Sequence, residues 1–345
     1  MLSYYGQAIG GHLSIMAAAR PVDEWLQNPD TPAPLKQRLE RAEQIRSFAV
    51  TALDLPDNAS YHRYADLHRA AAVWNVAAAP VDSLALKQWC FWFVGCVGYR
   101  GYYKQGAAEA EGAKLRADDK LEVTVYGVPA YSTLGWLNWL GGDPLLSTFI
   151  HAPEGELARL IFHELAHQKI YVDGDTTFNE SYADAVSYLG VEEWLAQRAG
   201  ARVREDYALV DARRRAFRHL TRQTRAELDA IYQQKPAVGL TRVLALKADA
   251  MVQFRAHYAA LKARWSAEGH PFDGYDAWVA KANNASFGVL AAYDEFVPAF
   301  EALFRREDRD WPRFYAAVRK LGDLPKAERR AQLKALMDGR EQPAA

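Results

Sequence analysis

Five residues, His163-Glu164-Leu165-Ala166-His167, constrain this chain more than any other stretch. They lie within Leu157 to Ile170, a run that is apolar nearly all round, as a buried helix would be. Helical residues four apart share one face, one turn apart. Two imidazoles so placed converge on one point, the spacing that a zinc ion needs from two nitrogen ligands. Glu164 is rotated about 100° from His163 by the 3.6-residue period. It can flank a metal without binding it, which is where a general base for a metal-activated water belongs. The bland alternative is two helix histidines satisfied by hydrogen bonds. Against it, a nearly apolar helix carrying His-Glu-His is costly unless those groups have partners.

A catalytic zinc site takes three protein ligands. Asp173-Gly174-Asp175 signals a turn, and Thr176 to Gln197 has the pattern of a second helix. So short a turn makes the two helices near-antiparallel neighbours. Glu180 stands in the first turns of the second helix, with twelve residues between it and His167, and can face the histidine pair. Asp184 is one turn further on the same face. A carboxylate there can accept the outer N–H of a zinc histidine and fix its tautomer. Glu180 also has a structural reading. Thr177-Phe178-Asn179-Glu180 spells a capping box, in which the glutamate only satisfies the helix N-terminus. Asp184, Glu192 and Glu193 are then the fallback ligands.

His163-Glu164-x-x-His167 followed by Asn179-Glu180-x-x-x-Asp184 resembles the gluzincin metallopeptidases. That resemblance implies that His163, His167 and Glu180 bind Zn2+, that Glu164 is the base, and that Asp184 orients a histidine. The gap to the third ligand is shorter here than in thermolysin, so the loop between the helices differs. More widely, the chain resembles a bacterial "putative aminopeptidase" family, whose members are often lipoproteins. The matching segments are Tyr4 to Ala8 with Gly11-His12-Leu13, Trp74-Asn75-Val76, Trp89-Cys90-Phe91 and Cys96 to Tyr102. They continue in Ala130 to Gly135, Phe162 to Gln168 and Phe178-Asn179-Glu180-Ser181.

Composition narrows the field. With 345 residues, half of them hydrophobic, and 10 Trp, 18 Tyr and 14 Phe, a sizeable core is assured. A net charge of −1 gives no basic field of the kind nucleic-acid binding needs. No stretch reaches the length of a membrane span. Two cysteines exclude a Cys-rich zinc framework.

Met1 to Arg20 lacks a charged start and a long apolar core, so it is not an intact signal peptide. The run around Gly10-Gly11 reads as an opening helix, with His12 a capping or surface residue. By the family resemblance a lipid-bearing cysteine would sit just upstream of Tyr4-Tyr5. The expectation is therefore a periplasm-facing envelope protein, lipid-anchored in its full-length form, whose targeting segment has been removed or was never present, the first being favoured. Leu35 to Leu53 has helical spacing, Ala72 to Ala79 reads as a strand, and Trp89 to Val97 as a second strand bent at Gly95. Cys90 and Cys96 are too far apart on a straight strand for a disulfide, but a bend brings them within reach. Both a bridge and two buried thiols remain open.

Lys104 to Ala117 is helical in composition, and Leu121 to Tyr126 alternates as a half-buried strand. Gly127 to Leu134 contains Pro129, which belongs at a sheet edge, where free N–H and C=O groups can pair an extended peptide. The resemblance to zincin peptidases, which hold substrate against such an edge, makes this the candidate substrate strand. Beyond Gly200 the pattern is of long helices: Arg202 to Gln233, Thr241 to Trp265, Phe287 to Phe304 interrupted at Pro298, and Ala316 to Met337.

These readings combine into a mainly α (α+β) chain. A zincin-like catalytic core with a small mixed sheet, about 60–200, carries N-terminal helices and a helical C-terminal part, about 201–345, in a single domain. The expected activity is zinc-dependent hydrolysis of peptide bonds in a peptide or protein substrate, as an aminopeptidase. Tyr131 and Tyr293 are candidate donors to the oxyanion. The alternatives are a zinc endopeptidase and a non-catalytic zinc-binding envelope scaffold, which has no use for Glu164.

Overall fold

The computed structural model describes residues 2–91, 95–130 and 141–339. Helix makes up 64% of the chain and the sheets have only two or three strands, so the protein is mainly α, as the sequence pattern indicates. No helix among the described residues is long and apolar enough to cross a membrane.

The opening run forms α1 (Leu2–Ala18), then β1 (Arg20–Pro21) and α2 (Val22–Gln27). The amphipathic stretch that follows is α3 (Ala33–Thr51), which carries Pro34 in its first turn, where a missing N–H is harmless. Next come β2 (Arg63–Ala65), β3 (Val73–Ala79), β4 (Trp89–Phe91), β5 (Gly95–Val97) and β6 (Arg100–Tyr102). Then come α4 (Gln105–Ala117), β7 (Glu122–Val128) and β8 (Leu145–Leu146). The motif helix is α5 (Glu154–Lys169) and its successor α6 (Thr176–Arg198).

The remainder is helical. It comprises α7 (Ala201–Gln233), α8 (Lys235–Ala267), α9 (Asp276–Lys281), α10 (Asn284–Asp294), α11 (Val297–Arg306), α12 (Trp311–Gly322) and α13 (Lys326–Met337). Pro298 restarts the chain at α11 as expected. The single closing helix expected over Ala316 to Met337 is instead two, because Pro325 ends one and caps the next. Trp89 to Val97 is a hairpin rather than one bent strand. Cys90 pairs with Cys96 across β4 and β5, and the two form a disulfide.

Two compact units form: Met1–Trp74, Gly127–Tyr207 and Ala292–Ala345 make the first, Asn75–Tyr126 and Ala208–Ala291 the second. The second holds an aromatic core in which Phe217 stacks on Tyr275 and meets Trp278, while Phe254 meets Phe287. β7 is an edge of the three-stranded sheet ordered β6-β3-β7.

The first unit is built on the α5–α6 hairpin. Phe48 of α3 packs against Phe162 and Trp194, and Phe178 and Tyr182 pack against Phe300 of α11. Each fully buried phenylalanine among them, Phe162, Phe178 and Phe300, contributes roughly 1.5–3 kcal/mol. Gly190 permits the close approach of the helices, since a Cβ there would stand 2.6 Å from Leu53 and 3.0 Å from Phe162. A small sheet, β1-β2-β8, lies in the same unit. β2 and β8 run parallel, with Tyr64 opposite Leu145, and this register brings the residues just before β2 beside those just before β8.

One ion pair locks the C-terminal helices to α6. The buried Arg329 guanidinium donates to Asp175 at 2.6 Å and to the carbonyls of Leu321, Gly322 and Leu324. Replacing one partner of such a pair strands the other charge. Arg329→Met is expected to lower unfolding stability by about 3 kcal/mol, read as an earlier urea midpoint. An unchanged midpoint would show that Lys326 and Arg330, each 3.9 Å from Asp175, suffice without it.

Candidate metal centre

The turn between α5 and α6 is fastened by Asn179, whose side-chain amide bonds both the N–H and the C=O of Val172 at 2.8 Å. The N-cap of α6 is Asp175, whose carboxylate accepts the Phe178 N–H at 3.4 Å. The capping-box reading therefore does not hold: Thr177 lies inside the helix, and Glu180 is beyond the first turn, where no orphan N–H waits for it.

Glu180 instead faces the histidines. Its Oε2 lies 3.3 Å from His163 Nε2 and 3.5 Å from His167 Nε2, and the two Nε2 atoms are 3.1 Å apart. Among the described residues these three form the one cluster able to hold a metal ion. The fit is quantitative. Donor atoms each about 2.0–2.1 Å from a tetrahedral ion lie about 3.3 Å from one another. The observed separations bracket that value. The chemistry of the set also fits, being two imidazole nitrogens and one carboxylate oxygen, with the imidazole planes at 87°.

Asp184, one turn beyond Glu180, lies 3.0 Å from His163 Nδ1. A proton on Nδ1 donated to this carboxylate leaves the Nε2 lone pair facing the cluster. Arg159 approaches the same Asp184 oxygen at 3.6 Å. Burial opposes a charged His163, but the hydrogen bonds it donates to Asp184 and Glu180 outweigh it and raise its pKa. Burial also opposes a charged Glu180, and the two histidines overcome it, holding that carboxylate below its usual range. Both shifts have one source, the mutual pairing of the two imidazoles with Glu180 and Asp184. Replacing Asp184 with Asn keeps the shape and weakens the hold on His163. The affinity of the cluster for a metal such as zinc is expected to fall about 10–100-fold, measured by competition with a chelator of known affinity. Wild-type affinity in that variant would make the contact incidental.

Glu164 is half-buried on the neighbouring face of α5. Burial raises its pKa first, with Glu180 and Asp143 adding to it while His163 and His167 pull the other way. A base poised closer to neutrality is suited to accept a proton.

Of the other candidates, Tyr131 lies outside the described residues. Tyr293 is half-buried, and its carbonyl accepts from the Ser181 hydroxyl at 3.5 Å, which sets it beside α6 next to Glu180. That contact runs through the main chain, so it places the residue and not its hydroxyl. Of the fallback ligands, Glu193 accepts from Trp311 at 3.2 Å and Glu192 is exposed.

A second polar group adjoins α5 that the sequence does not single out. Tyr61, Asp143 and Gln168 converge there with Ser60, and the first two are almost wholly buried. Burial, then the charges of Glu164 and Asp143, push the Tyr61 phenol well above its ordinary pKa. His12 of α1 belongs to the same neighbourhood and is not a surface histidine: burial lowers its pKa while Asp143 raises it. The signal for Tyr61 was weak, since nothing in its sequence neighbourhood is periodic.

A family model described as "Putative aminopeptidase" matches residues 3–333. No curated protein and no solved structure matches the chain.

Proposed function

The chain belongs to that putative aminopeptidase family, and on this premise we propose that it is a zinc-dependent aminopeptidase. The observation that carries the reading is the trio of donor atoms at 3.1, 3.3 and 3.5 Å, with a carboxylate beside it that is not one of the three.

In this reading His163, His167 and Glu180 would hold the ion, with Asp184 orienting His163. When bound, zinc would lower the pKa of a water and polarise a carbonyl. Glu164 takes a proton from the attacking water as its oxygen bonds to the scissile carbon, and delivers it to the departing amine as the C–N bond breaks. Tyr131 and Tyr293 are the proposed donors to the oxyanion.

The test uses one peptide in two forms, with a free and with an acetylated N-terminus. The free form is expected to lose its first residue, the blocked form to stay intact, and a chelator to stop the reaction. Internal cleavage of the blocked peptide would make the protein an endopeptidase. Absence of cleavage in both, with zinc bound, would favour the non-catalytic scaffold.

We also propose that the protein faces the periplasm. The Cys90–Cys96 disulfide supports this, since such bonds persist in oxidising compartments. Protein recovered from the native envelope with thiol-blocking should carry no alkylated cysteine. Alkylation of both would place the protein in a reducing compartment.

A further inference from the structure

Tyr61 is held in a way that core packing does not call for. Its φ is +70°, a region that a bulky side chain seldom enters. Such backbone persists where the surroundings over-determine it, and it gathers at functional sites. Here the surroundings are explicit. The Tyr61 N–H donates to the Asp143 carbonyl at 2.7 Å, and the Asp143 N–H donates to Ser60 Oγ at 3.1 Å. The buried Arg46 guanidinium donates to the carbonyls of Ser60 and Asn58 at 3.1 and 2.8 Å. At Gly142, with φ +65°, a Cβ would stand 2.5 Å from the Ser60 nitrogen, so only glycine lets the two loops close together.

Gln168 ties this assembly to α5. Its Nε2 donates to Ser60 Oγ and to the Asp143 carboxylate, both at 3.2 Å, while its Oε1 accepts from Asn58 at 2.7 Å. Gln168 lies one turn beyond Glu164, on the same face of the helix. The loop that ends in Tyr61 is therefore seated on the face that carries Glu164. The Tyr61 hydroxyl is buried and has no hydrogen-bond partner among the described residues. Buried hydroxyls nearly always have one.

We propose that Tyr61 is a positioning residue for Glu164: its O–H donates to the Glu164 carboxylate in the working site and aims it at the attacking water. The proposal rests on the peptidase reading above. Burial, with Glu164 next in effect, keeps the phenol protonated at neutral pH, so it is available as a donor. Catalytic hydrogen bonds are often long before substrate arrives and close only in the complex, which accounts for the missing partner.

Tyr61→Phe removes the hydroxyl and nothing else. It is made in the intact protein and in a Glu164→Gln background, and zinc content, melting midpoint, kcat and KM are measured. Expected are full zinc, a midpoint equal or higher because an unpartnered hydroxyl is gone, unchanged KM, and kcat down about 10–100-fold. In the Glu164→Gln background the same change should alter the residual turnover by less than about twofold, since no base is left to aim. Wild-type kcat in Tyr61→Phe would overturn the proposal. So would an equal loss in both backgrounds, which would mean that the hydroxyl acts without Glu164. Full activity of Glu164→Gln by itself would instead remove the peptidase reading beneath it.

Discussion

Glu164→Gln is expected to keep about one zinc per chain and to lose turnover by about 10²–10⁴-fold, the contribution of general acid–base catalysis. The amide has the shape of the carboxylate but cannot take a proton. None of the three donor atoms belongs to Glu164, so metal content has no reason to change. Elemental analysis and peptide turnover on the same preparation separate the two effects. A fully active Glu164→Gln enzyme would refute the hydrolytic mechanism as a whole, and a variant lacking zinc would mean that Glu164 is itself a ligand.

Glu180→Ala should do the opposite and remove the metal, with activity following it. Two histidines alone are a weak zinc site, since catalytic centres use three protein ligands. No other carboxylate of α6 stands ready to substitute. Asp184 is engaged with His163 Nδ1, on the far side of the ring from the cluster, and Glu193 is engaged with Trp311. Zinc retained after gel filtration is expected to drop from about one per chain to a small fraction, with partial recovery in excess zinc. Full zinc and full activity in Glu180→Ala would leave the trio without meaning. Because Glu164→Gln spares metal and Glu180→Ala does not, the pair distinguishes chemistry from binding in one set of measurements.

Much of this was legible because it is local. The i, i+4 spacing fixes that His163 and His167 share a face whatever the rest of the chain does. Helical spacing placed α3, α5, α6 and α7, and composition placed α4, to within a few residues. Sequence patterns were less decisive where two local rules competed. Thr177 fitted a capping box and Asp175 a turn, yet in the folded helix it is Asp175 that caps α6, its carboxylate also held by the Arg329 guanidinium from α13. Trp89 to Val97 had strand-forming residues throughout, yet it folds back on itself, with Cys90 opposite Cys96. Residue type reports the tendency to extend, not the pairing partner. Ala316 to Met337 kept helical periodicity across a break that Pro325 imposes.

What the sequence determined by itself is the chemistry of α5: two imidazoles and a carboxylate on adjacent faces of one buried helix, a consequence of 3.6 residues per turn. What only the tertiary structure decided is which partners that helix meets. Glu180 comes from the other arm of the hairpin at 3.3–3.5 Å, a distance set by how closely α5 and α6 pack. Tyr61 comes from a loop more than a hundred residues upstream in the chain, fixed by the parallel register of β2 and β8 and by the grip of Gln168 on Ser60. Contacts between segments so distant depend on packing and strand register, and neither is written in any local window of residues.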